Sequence, residues 1–272
     1  MKKVKTLFMV FVILMASVLL FACSQPTEET PVVEETKEVS ETEVTQEPAQ
    51  ETDIDLAGLE ALSKDILLDP AVALDTDSMK VNALLYEGLV RLSDDGTVEP
   101  ALASSWEIST DELDYIFYLK PNLLFHDGST LTADIVLDNF NRWFDPDNPL
   151  HGNDEKYQTW KKYFLGFRGE LDKQDRPVSV FDGIEKVDDL TVLVHLNRPI
   201  PEFLVYMADP AFSIINVDVL STEGEAYGTE AGSAIGTGPY LLETWESGIL
   251  TLAPFGDYWE EVVDSSIQFK LE

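Results

Sequence analysis

An α/β fold is predicted for the chain from residue 57 onward, and three observations predict it. Stretches with helical apolar spacing alternate with stretches rich in β-branched and aromatic residues. No repeat of fixed period runs through them, which argues against solenoids and propellers. A hydrophobic content of 44%, with 10% aromatic residues, supplies the apolar area a sizeable core needs.

The first segment is read as an address rather than as part of the fold. Met1-Lys2-Lys3-Val4-Lys5 is a short positive stretch, and Leu7 to Ala22 is a nearly unbroken apolar run of about 16 residues. That is shorter than the roughly 20 needed to span a bilayer and fits a secretory signal. The run ends Leu20-Phe21-Ala22-Cys23, which resembles a bacterial lipobox, so residues 1–22 are expected to be a lipoprotein signal peptide and Cys23 the lipid-attachment residue. A plain signal peptide or an anchoring helix with an incidental cysteine is the alternative. Cys23 is the single cysteine, which excludes an internal disulfide framework and a Cys-rich zinc site.

Residues 23–56 are Glu, Thr, Pro, Val and Gln in the main, with one Lys37 and no aromatic residue. Such a composition cannot bury enough to fold. Paired acids at 28–29 and 34–35 and prolines at 26, 31 and 48 predict a disordered, extended acidic tether, with a low-complexity binding tail as the alternative.

Beyond the tether, Val81 to Leu89 reads as a short helix closed by Gly88 and the Asp94-Asp95-Gly96 turn, leading to a strand at Val98. Tyr115 to Leu119 and Leu123 to Phe125 read as two antiparallel strands across Pro121-Asn122. Thr132-Ala133-Asp134 starts an amphipathic helix, with Ile135, Val136, Phe140 and Trp143 on one face and Pro146 as its stop. Leu190 to Leu196 is expected to be a strand, Pro201 to Met207 a short helix and Ser266 to Leu271 a further strand. Trp106, Trp143 and Trp259 are expected to supply buried area. Gly236, Gly238 and Pro239 are expected to set a tight backbone path into the strand that follows.

Charge removes whole classes of function. Asp and Glu number 51 against 18 Lys and Arg, a formal net charge of -33 with pI near 4.1. No basic stripe interrupts this, so nucleic acid is excluded as a partner. No Gly-x-x-x-x-Gly-Lys-Ser/Thr loop or His-Glu-x-x-His is present, and Gly232-Ser233-Ala234-Ile235-Gly236 lacks the spacing of a nucleophile elbow. His126, His151 and His195 fall on segments of different type, each read as a turn, loop or strand residue rather than a metal ligand. Asp145, Asp147, Asn148, Asn153 and Asp154 could gather oxygens around calcium, but Pro146 and Pro149 break the EF-hand spacing, and a solvated loop is favoured. A glycosidase pair of acids is the enzymatic alternative. The chain is otherwise expected to be no enzyme, with no cofactor and no metal.

Three ordered stretches carry a resemblance. They are Leu68-Asp69-Pro70 with Leu84-Leu85-Tyr86-Glu87-Gly88-Leu89-Val90 and Pro100 to Glu107; Phe125-His126-Asp127-Gly128 through Val136 to Phe140-Asn141-Arg142-Trp143; and Ile235-Gly236-Thr237-Gly238-Pro239-Tyr240 with Asp257-Tyr258-Trp259. Together they resemble the family 5 extracellular solute-binding proteins, the oligopeptide-, dipeptide- and nickel-binding lipoproteins of ABC importers, in their N-terminal half only. The resemblance implies a periplasmic-binding-protein type II-like fold: lobe I with its small α+β subdomain, the second lobe missing. Residues 57–77 and 206–272 would form the incomplete lobe I sheet and residues 78–205 the small subdomain. It implies capture of a peptide or other small solute between hinged lobes, delivery to ABC permease subunits, membrane attachment through the lipid anchor, a monomeric state, and a place outside the cytoplasm on the cell surface or periplasmic face. Ser63, Lys64, Asp65, Gly236, Thr237, Gly238 and Tyr240, with Tyr157 as an aromatic after the long helix, are the ligand-lining residues it implies. A truncated fragment or split gene product is expected on length, and a non-transport surface lipoprotein that keeps the lobe as a structural or partner-binding module is the alternative.

Overall fold

The computed structural model describes residues 59–272. The expected signal peptide, Cys23 and the tether lie outside the described residues. Strand β1 (Glu60–Leu62) leads into an extended segment and then into helix α1 (Thr76–Leu85), which Asp75 caps by accepting the Ser78 N–H at 2.8 Å. The helix therefore begins earlier than its apolar spacing predicts, and it ends at Leu85 rather than Leu89. Tyr86 turns extended, at φ -132° and ψ 154°, and its hydroxyl donates to the Leu68 carbonyl at 2.7 Å. Burial of that ring ends the helix.

Strands β2 (Val90–Leu92) and β3 (Val98–Pro100) form a small hairpin. Its turn is held by the Asp95 carboxylate, which accepts from the Ser93 hydroxyl at 2.7 Å and the Thr97 N–H at 3.0 Å. Next come β4 (Ala103–Ile108) and β5 (Asp114–Leu119), which join β6 (Phe181–Asp188) and β7 (Thr191–Leu196) in an antiparallel sheet of order β4-β5-β7-β6. Along β5, Tyr115, Phe117 and Leu119 alternate inward, as a half-buried strand requires.

The expected pairing of Leu123–Phe125 with Tyr115–Leu119 does not occur. Both edges of β5 are taken, by β4 and β7. Leu123–Phe125 instead folds back on Ser129–Leu131, with Phe125 N–H on the Ser129 carbonyl at 2.8 Å and Leu131 N–H on the Leu123 carbonyl at 2.9 Å. Asp127-Gly128 makes the turn between them, with Gly128 at φ 80°.

Helix α2 (Ala133–Phe144) starts after Thr132 and ends at Asp145, ahead of Pro146. It packs on β6 and β7 and, with α3 (Gln158–Phe164) and α4 (Phe203–Met207), closes an aromatic core beneath the antiparallel sheet. Trp143, Trp160, Phe164, Phe181 and Phe212 meet there in tilted and edge-on pairs. Of the three tryptophans expected to be buried, only Trp143 is fully so, and Trp106 and Trp259 are half-buried.

A short helix α5 (Val217–Glu223), capped by Asn216, precedes β8 (Tyr240–Glu246), β9 (Ile249–Pro254) and β10 (Ile267–Leu271). These join β1 in a second sheet of order β1-β10-β9-β8, parallel only at β1–β10. Ser247 and Gly248, at φ 54° and 74°, make the two-residue turn between β8 and β9. Leu250, Leu252 and Phe269 from this sheet pack with Val81, Leu85 and Ile215 into a second core, and Ile135 on α2 touches both cores. Among the described residues, no helix is long and apolar enough to cross a membrane.

Candidate functional site

Helix α2 carries a charge on its buried side. Arg142, one residue before Trp143, is 3% exposed, and such a group must find a partner or desolvation would prohibit it. The partner is Asp69, in the segment between β1 and α1, itself 6% exposed. The two meet fork to fork: Nη1 donates to Oδ1 at 3.2 Å and Nη2 donates to Oδ2. Burial works against the guanidinium's charge, and the Asp69 carboxylate more than offsets it, holding Arg142 above its usual range.

This ion pair forms part of the wall of a cavity of about 520 Å³, whose other walls include Leu67, Val72, Leu150, His151, Tyr157 and Tyr227. Tyr157 stacks on His151 with ring centres 4.4 Å apart. The His151 ring is fixed on both sides, Nδ1 at 2.7 Å from the Arg142 carbonyl and Nε2 at 2.9 Å from Asp154 Oδ1. Burial pushes the Tyr157 hydroxyl up to about 12, with Arg142 pulling the other way. Burial likewise raises Tyr227. The cavity thus offers neutral phenols, apolar wall and a self-neutralised ion pair, with exposed Lys156 and Glu225 also along its lining. That set can recognise a polar solute through hydrogen bonds and apolar contact.

The oxygen-rich loop after α2 is committed elsewhere. Asp145 accepts from Asp147 N–H at 3.0 Å and from Arg168 at 2.7 Å, while Asn148 and Asn153 accept from the backbone of Leu150 and Glu155. Among the described residues, no cluster of His, Cys, Asp and Glu is arranged to hold a metal.

The ligand-lining residues expected from sequence fall in three places. Tyr157 lies in the cavity just described. Ser63, Lys64 and Asp65 are exposed at the exit of β1, where Lys64 and Asp65 border a second hollow of about 510 Å³ with Thr229 and Trp245. Gly236, Thr237 and Gly238 are buried against the last turn of α1, and Tyr240 is buried at the start of β8. A Cβ on Gly236 would lie 2.0 Å from the Leu85 carbonyl oxygen, and one on Gly238 would lie 2.6 Å from the Leu85 carbonyl carbon. Glycine is required at both positions by this close approach.

Two tyrosines connect the glycine loop to the cavity. The Tyr86 hydroxyl lies 3.2 Å from that of Tyr227, and Tyr227 receives the Ile235 N–H at 3.3 Å. Sequence reasoning did not assign Asp69, Arg142, Tyr227 or His126 to a site. The available signal was Arg142 itself, a charge set between Phe140 and Trp143 on an otherwise apolar helix face.

Residues 97–270 match the family model of bacterial extracellular solute-binding proteins, family 5 Middle. In sequence, the chain is 33% identical over 195 residues to the glutathione-binding protein GsiB of Pectobacterium atrosepticum, covering 71% of this chain and 33% of that protein. GsiB of Salmonella typhimurium is 32% identical over 196 residues with the same shares. In structure, HbpA2 from Haemophilus parasuis superposes with a TM-score of 0.66 at 28% identity, over 78% of this chain and 42% of that one. The ABC transporter-associated periplasmic binding protein DppA from Helicobacter pylori, in complex with the peptide STSA, gives 0.65 at 25% identity, over 78% and 42%. The chain spans about a third of the length of the curated relatives it matches. The fold is accordingly part of a periplasmic-binding-protein type II architecture, and the chain belongs to the bacterial extracellular solute-binding proteins of family 5.

Proposed function

We propose that this chain carries lobe I of a substrate-binding lipoprotein of a peptide-type ABC importer, capturing a peptide or similar small solute outside the cytoplasm for delivery to permease subunits. The observation that carries the reading is the family match joined to the cavity beside Asp69 and Arg142, whose phenols and apolar walls suit a peptide-like solute. The sheet containing β1 and β8–β10 serves as the body of the lobe and residues 78–205 as its small subdomain. Ser63, Lys64, Asp65, Tyr157, Gly236, Thr237, Gly238 and Tyr240 remain the proposed lining. Cys23 anchors the chain by lipid, the acidic segment behind it acts as the spacer, and the protein works as a monomer. Capture is by hydrogen bonding and burial, with no bond broken.

Since the GsiB relatives are named for glutathione and DppA holds a peptide, γ-linked and ordinary small peptides are the first solutes to try. Titration calorimetry of the 272-residue chain against glutathione, di- to tetrapeptides and a nickel–histidine chelate is expected to give saturable binding to one peptide class. No binding to any of these would sink solute capture by this chain. Incorporation of labelled lipid in a bacterial host, lost in Cys23→Ser, tests the anchor separately.

A further inference from the structure

The loop from Phe125 to Ser129 meets the glycine loop through one side chain. His126 N–H donates to the Gly236 carbonyl at 2.9 Å, Gly236 N–H donates to His126 Nδ1 at 3.2 Å, and Nε2 lies 3.1 Å from the Gly238 carbonyl. Because Nδ1 accepts, the ring proton sits on Nε2 and is donated to Gly238. The imidazole also meets the Phe255 ring edge-on at 5.0 Å. Gly238 in turn donates its own N–H to the Leu85 carbonyl at 3.0 Å, so the chain of contacts runs from His126 through the glycine loop to the end of α1.

We infer that His126 is an acid-sensitive catch: as a neutral imidazole carrying its proton on Nε2 it seats the Gly236–Gly238 loop on α1, and a second proton, on Nδ1, unseats it. A protonated Nδ1 turns an acceptor into a donor facing another donor, the Gly236 N–H, and it places a charge in a largely desolvated pocket where the backbone of Gly238 and Ala234 is the main polar group to receive it. The charged groups around the ring are few. Asp127, next in the chain, acts on it, but its carboxylate is engaged by Ser129 N–H at 2.9 Å, the Ser129 hydroxyl at 2.6 Å and Asn216 Nδ2 at 3.0 Å. Residues 234–239 contain no titratable side chain. On the α1 side, Glu87 is held by Tyr258 and Trp259, and the Tyr86 hydroxyl points to Leu68. Burial accordingly lowers His126 from 6.5 to about 4, with backbone bonds to Gly238 and Ala234 and the Asp127 charge opposing.

The catch concerns the seating of the loop and is independent of which solute is bound, so its test needs none. Selective ring-nitrogen labelling of the three histidines in the 272-residue chain is expected to show one imidazole protonated on Nε2 alone down to acid pH. The signal is assigned by its loss in His126→Asn. In parallel, hydrogen exchange of the Gly236 and Gly238 amides is expected to lose protection by about tenfold per pH unit between 6.5 and 4, relative to the intrinsic rate. His126→Asn keeps an acceptor near Nδ1 and cannot titrate, so its protection should be flat with pH. His126→Phe should exchange fast throughout, and if it fails to fold the asparagine variant still decides. A His126 ring titrating at 6 or above, the Nδ1–H tautomer, pH-independent protection in the parent chain, or unchanged pH dependence in His126→Asn would each overturn the inference.

Discussion

Arg142 on α2 and Asp69 before α1 form a two-point ion pair with less than a tenth of either residue exposed, tying helix α2 to the segment that leaves β1. Removing one partner strands the other. Arg142→Met or Asp69→Leu is expected to cost about 3–5 kcal/mol, whereas the double variant is expected to cost less than either single change, because no unpaired buried charge remains. Urea unfolding of the four proteins closes the cycle. A loss under about 1 kcal/mol in the single variants would mean that water reaches the pair.

The glycine loop makes a sharper steric claim. Gly236→Ala would place a methyl 2.0 Å from the Leu85 carbonyl oxygen, backbone that cannot swing aside as a side chain can. Destabilisation of about 2 kcal/mol or more is expected, with Gly238→Ala similar. Gly256→Ala, whose Cβ meets nothing within 4 Å, is the control and should stay within about 0.5 kcal/mol. Thermal unfolding of the three variants decides whether the loop is packed as tightly as described.

These two features differ in how far the sequence announces them. Helix α2 is legible because Thr132, the Ile135–Trp143 spacing and Pro146 are local signals, and the strands at 191–196 and 267–271 are legible for the same reason. The Gly-Thr-Gly path is legible as a tight turn, though not as a seat for α1. Local signals fail where distant partners decide. Leu123–Phe125 has strand composition, but β5 has no free edge, and the apolar spacing of residues 81–89 continues past the point where Tyr86 turns inward. His126 meets Gly236 across 110 positions, and Asp69 meets Arg142 across 73. One sequence carries no record of pairings that far apart.

Stability against acid follows from two half-buried groups of opposite sign. The unfolded imidazole of His126 takes a proton near 6.5 and the folded one near 4, so the unfolded state binds more protons in between. Its contribution is full above 6.5 and falls away towards 4, a loss on the order of 3 kcal/mol. Glu87 is raised above 4.5 by burial, against the lowering effect of its bonds from Trp259 and Tyr258, so its contribution is present at low pH and fades as pH rises through its folded value. Urea midpoints between pH 7 and 4 should therefore decline less in His126→Asn than in the parent chain and more steeply in Glu87→Gln. Parallel profiles in all three proteins would show that neither group couples to folding.

Thr237 separates a packing role from a binding role. Thr237 is 1% exposed, and its hydroxyl has no hydrogen-bond partner among the described residues. Replacing that hydroxyl by a methyl in Thr237→Val orphans no group, so stability should change by less than about 1 kcal/mol and in the favourable direction if the burial is dry. In the proposed lining role, by contrast, that hydroxyl would have to be uncovered to bond the solute, and losing one such bond should weaken binding by about fivefold to tenfold. Calorimetric affinity and thermal unfolding measured on the same variant distinguish the roles. Weaker binding at unchanged stability places Thr237 at the solute, unchanged affinity confines it to the seat of the loop, and a large loss of stability would mean that the hydroxyl is satisfied in the folded protein after all.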